Sequence, residues 1–65
     1  MKLTKLSGPD CDNDDCPAVF ISDRETIVVQ GDGVSHADGL RLGVGEQAVE
    51  ISADLLREAL NALGG

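Results

Sequence analysis

The chain has 65 residues, 42% of them apolar, with 12 acidic against 5 basic side chains and a net charge of −7. A domain this small hides only about 60% of the surface its unfolded chain exposes, and one Phe with no Trp or Tyr makes its core aliphatic. Scattered Lys and Arg without an aromatic platform argue against direct nucleic-acid binding, and nothing approaches the ~20 apolar residues of a membrane span.

Residues 2–6, Lys-Leu-Thr-Lys-Leu, alternate weakly and read as an edge strand or a frayed start. No apolar stretch follows the first lysines as a secretory leader would require, so a cytoplasmic protein with reduced thiols is expected. Ser7-Gly8-Pro9 closes the segment.

An acidic loop follows over residues 10–17, Asp-Cys-Asp-Asn-Asp-Asp-Cys-Pro. Its alternating Asp10, Asp12 and Asp14 imitate the opening of a calcium loop. Such a loop also needs Gly at its sixth position and Glu at its twelfth, and here those are Asp15 and Ile21. Zinc finds better ligands in Cys11 and Cys16, with His36 as the sole imidazole, but a structural site wants four. A Cys11–Cys16 disulfide fits the short spacing and is opposed by a reducing compartment. The reading favoured by the residues is a solvated connector with Cys16 half-buried as a small hydrophobe. Catalysis is not expected, because four aspartates around the thiols raise rather than lower a thiol pKa. No cofactor is expected either.

Ala-Val-Phe-Ile-Ser at 18–22 and Thr-Ile-Val-Val-Gln at 26–30 are β-branched and aromatic enough for strands. Asp23-Arg24-Glu25 joins them as a hairpin over 18–30. Ile27, Val28 and Val29 are apolar on both faces, which marks a central or doubly covered strand. Gly31-Asp32-Gly33 lacks the third glycine and the helix of a phosphate cradle, and reads as a turn. Leu40, Leu42 and Val44 alternate with Arg41 and Gly43 in a short strand or extended segment. Residues 47–51 form another strand, with Val49 and Ile51 inward and Ala48 and Glu50 outward.

A helix closes the chain over 53–63. Ser52 is its N-cap, Asp54 sits in the first turn, and Ile51 with Leu56 has the spacing of a hydrophobic staple. Leu55, Leu56, Ala59, Leu60 and Leu63 are expected as its buried stripe, and Gly64-Gly65 stops it. The elements add up to one small α+β domain, residues 1–65: a three- or four-stranded, mainly antiparallel sheet with one C-terminal helix packed on a face.

Two stretches, 16–31 and 45–51 leading into Leu-Leu-Arg-Glu-Ala-Leu at 55–60, resemble small uncharacterised actinobacterial proteins encoded beside helix-turn-helix regulators. The layout is also distantly similar to the BldB-like and WhiJ-associated small proteins of Streptomyces development. What the resemblance implies is a non-enzymatic accessory protein that binds a helix-turn-helix regulator of transcription. Independently, one short helix covers only one face of a small sheet. Ile27, Val28, Val29, Leu40, Leu42 and Val44 are therefore the expected interaction surface, for a homodimer or a protein partner. A metal- or redox-responsive protein using Cys11, Cys16 and His36 is the alternative.

Overall fold

The computed structural model describes residues 1–10 and 16–64. Three strands form an antiparallel sheet in the order β1 (Leu3–Ser7), β2 (Ala18–Ser22), β3 (Ile27–Gln30). A two-stranded ribbon pairs β4 (Asp32–Gly33) with β5 (Val49–Glu50), and α1 (Ala53–Ala62) completes an α+β fold.

The hairpin is built as its residues demand. Val19 pairs with Val29, Phe20 with Val28 and Ile21 with Ile27. Because side chains alternate along a strand, Val19, Ile21, Ile27 and Val29 share one face, while Phe20 and Val28 share the other. The three-residue loop 23–25 ends on Glu25 in the left-handed region (φ 63°), the position where such loops ordinarily place Gly. Ser22 holds this turn. Its hydroxyl accepts the amides of Arg24 (3.1 Å) and Thr26 (3.2 Å) and shares a 2.6 Å hydrogen bond with the Thr26 hydroxyl. That network explains how a serine can sit only 6% exposed in a small sheet.

On the other side of β2, Thr4 opposes Ile21 and Lys5 opposes Phe20, and the register then slips between Lys5 and Ser7. This bulge brings Ser7 opposite Val19. The Ser7 hydroxyl donates at 2.8 Å to the carbonyl of Leu55, pinning the helix to the edge strand.

The helix forms where its caps lie. Ser52 accepts the amide of Leu55 at 3.1 Å, and the last turn closes with the Gly64 amide on the Asn61 carbonyl at 3.0 Å. Asp54 pairs with Arg57 one turn later. Across β1 and β2 the helix seats Leu55 and Ala59 on Val19, with Leu6, Val29 and Ile51 packed around them.

Four features of this fold differ from what the pattern suggests. Gly31-Asp32-Gly33 is not simply a turn, because Asp32 and Gly33 pair with Glu50 and Val49 as strand β4. Of the expected helical stripe, only Leu55 and Ala59 are buried; Leu56 is 47% exposed, Leu60 51% and Leu63 46%. Apolar side chains occupy close to half the helix circumference, and a three-stranded sheet reaches only the part directly beneath. The segment around Leu40, Leu42 and Val44 is not a strand, because two turns interrupt it. In one the Leu40 amide bonds the Ala37 carbonyl, and in the other the Glu46 amide bonds that of Gly43. Last, the strand expected over 47–51 shrinks to two residues, and Val49, expected inward, is 40% exposed. Among the described residues no layer lies above the short ribbon to bury it.

Candidate interaction surface and the acidic cleft

Where β3 leaves the sheet, Gly31 lies so close to the second ribbon strand that a Cβ there would strike the Glu50 carbonyl oxygen. It would also lie 3.0 Å from a methyl of Ile51. That contact fixes the ribbon against the sheet and delivers Ser52 to the start of α1. A cleft of about 590 Å³ opens at this junction, lined by Cys16, Pro17, Gln30, Asp32, Glu50 and Ile51 among others. Asp32 and Glu50 stand directly opposite each other in the ribbon. Like charges in that arrangement destabilise the pairing, so the cleft has a negative wall.

Cys16 is half-buried two residues before β2. It is disulfide-bonded, not the reduced thiol that the compartment argument led us to expect. Burial and compartment describe a thiol's surroundings, whereas pairing is decided by where the chain brings a second sulfur. The other cysteine, Cys11, lies outside the described residues, as do Asp12, Asp14 and Asp15 of the acidic loop. Asp10, at its start, is exposed, 3.5 Å from the Lys5 ammonium, which also donates to the Pro9 carbonyl at 2.8 Å. His36 is exposed on the long connection between β4 and β5. Among the described residues no group of three or more His, Cys, Asp or Glu is placed to share a metal ion.

The expected interaction residues fall into separate places. Ile27 is 47% exposed. Val28 and Val29 are half-buried on opposite faces, and Val29 joins the core. Leu40 is half-buried, Leu42 is 41% exposed, and Val44 stands clear of the chain at a turn. Leu42 lines a shallow second pocket of about 410 Å³ with Val34 and Ala48.

Sequence reasoning missed the exposed row Leu56, Leu60 and Leu63 on α1, which it placed in the core. A signal was present. Leu55, Leu56, Ala59, Leu60, Ala62 and Leu63 span too wide an arc for one helix face against one small sheet. It also missed the buried serines Ser7 and Ser22, whose hydrogen bonds depend on partners brought from elsewhere.

The fold and surface define a small α+β domain with a thin core and much apolar side-chain area outside it. Compared with protein-family models, curated proteins and solved structures, the chain matches none of them. Among the described residues, no helix is long and apolar enough to cross a membrane.

Proposed function

We propose that this chain is a non-enzymatic accessory protein that works by binding another protein, and that its partner is a helix-turn-helix transcriptional regulator. One observation carries the interaction reading. The described residues bury four apolar side chains, Ala18, Val19, Leu55 and Ala59, yet leave nine large ones exposed, among them Ile27, Leu56, Leu60 and Leu63. Scattered exposed hydrophobes are ordinary, but a row along one helix is typical of a partner surface. The kind of partner rests on the resemblance to proteins encoded beside such regulators, and a net charge of −7 suits a basic one. Sedimentation velocity of the chain alone and with a neighbouring regulator, at low and high salt, tests this. A complex that weakens as salt rises is expected; a strict monomer that ignores the regulator at both salt concentrations rejects it.

A second reading, a redox-responsive protein, is favoured by the disulfide at Cys16 beside the cleft. In a reducing cytoplasm such a bond is transient and serves as a switch rather than a staple. Native mass spectrometry with and without reductant separates the readings, since a two-proton mass change that alters partner binding belongs only to the switch.

A further inference from the structure

Resting on the interaction reading, we infer that the docking site is an apolar groove between α1 and the uncovered part of the sheet, and that its occupant is a cationic amphipathic helix. The groove follows from the handedness of the helix. α1 starts at the end of the sheet where Ile51 meets Gly31 and where Ser7 holds the Leu55 carbonyl. From there it crosses β1 and β2, with Leu55 and Ala59 down on Val19.

At 100° per residue, Leu56, Leu60 and Leu63 lie roughly 90° round from that seam. A right-handed helix in this position turns them toward the part of the same sheet face that it leaves open. Ile21 and Ile27, cross-strand partners, lie there, and Ile27 is 47% exposed. One wall is therefore three leucines spaced by four and three residues over about 10 Å, and the floor is isoleucine. A helix presents its own apolar residues at that spacing and seats them in such a groove.

Charge decides between a second copy and a different partner. At the open end of the groove stands the hairpin turn, Asp23-Arg24-Glu25, with two carboxylates against one guanidinium, while on α1 Asp54 and Glu58 fall on the flank turned away from the three leucines. Arg57 is already paired with Asp54, so it offers little to an incoming anion. Two copies facing each other would bring two such acidic turns together on chains that each carry −7. A helix with leucines on one side and lysines or arginines along its margins removes that conflict. It places apolar against apolar and opposite charges at the rim.

The test uses the full chain with three synthetic helical peptides: one with a leucine face and lysine margins, one with the same face and glutamate margins, and a lysine peptide of scrambled order. Methyl and amide NMR shifts locate each contact, and calorimetry measures affinity. The lysine-margin peptide is expected to bind, with shifts centred on Leu56, Leu60, Leu63 and Ile27. Leu60→Asp is expected to weaken it at least tenfold, and Leu63→Asp serves as the second variant if the first unfolds. Shifts centred on the cleft or on Leu42, equal binding of the glutamate peptide, or unchanged affinity in folded Leu60→Asp and Leu63→Asp would overturn the assignment. So would self-association through these leucines. If a regulator binds undiminished to Leu60→Asp, the groove is wrong and the interaction reading stands. If the lysine-margin peptide binds as expected but no regulator does, the regulator is the part that falls.

Discussion

Neighbouring leucines on α1 should differ sharply in what they contribute. Leu55 is 7% exposed and sits on Val19 and Ala59, whereas Leu56, the next residue, is 47% exposed. Truncating a buried leucine to alanine costs about 2–5 kcal/mol, through lost transfer energy and the cavity left behind. A 65-residue domain at typical stability per residue has only about 3–10 kcal/mol in total. Leu55→Ala therefore removes much of the folded state. Full burial of a leucine contributes about 1.5–3 kcal/mol, so a half-exposed one contributes about half of that. Alanine, the best helix former, returns a further few tenths. The expected cost of Leu56→Ala, and of Leu60→Ala at 51% exposure, is about 0.5–1 kcal/mol each. Urea unfolding followed by circular dichroism at 222 nm (the helical band) measures all three against the wild type. Comparable losses at Leu55 and Leu56 would show that α1 is rotated about its axis relative to the sheet. A mild Leu55→Ala would show that the helix is not packed on it at all.

Glu25→Gly should raise the melting temperature, because a left-handed residue with a side chain costs roughly 1–2 kcal/mol, only part of which glycine's greater unfolded entropy takes back. A melting point at or below the wild type's counts against the turn described here. Gly31→Ala should cost about 1–3 kcal/mol, since the new methyl meets a backbone carbonyl that cannot rotate away; hydrogen exchange should show the Val34 amide, bonded to Ala48 at 2.9 Å, losing protection first. Glu50→Lys should stabilise the ribbon by about 0.2–1 kcal/mol by turning an acid–acid cross-strand pair into an acid–base one. That gain should shrink in high salt, and a salt-independent change would point to packing instead.

Much of this architecture was legible in the residues because its causes are local. The hairpin follows from two β-branched runs around Asp23-Arg24-Glu25, and the helix from Ser52 before a leucine-rich stretch that ends in glycine. Each of these signals acts within a few residues of itself, and each reappears in the fold at nearly the expected bounds. Alternation misled where it had no layer to answer to. Leu40, Leu42 and Val44 carry a strand's pattern, but turns at 37–40 and 43–46 take their backbone elsewhere, and Val49 alternates toward a side that leaves it 40% exposed.

The candidate site was the least legible part, for a geometric reason. Periodicity shows that a helix has an apolar side; it does not show how much of that side a partner element covers. That depends on the width of the sheet and the line along which the helix crosses it. Here α1 lies over β1 and β2 and leaves Ile27 open, which turns half of an ordinary-looking core stripe into surface. The Ser7 bond to the Leu55 carbonyl, which holds the helix on that line, joins residues 48 apart in the chain. Local composition determined which elements form, and only the tertiary arrangement decided which of their leucines meet the core and which are left exposed.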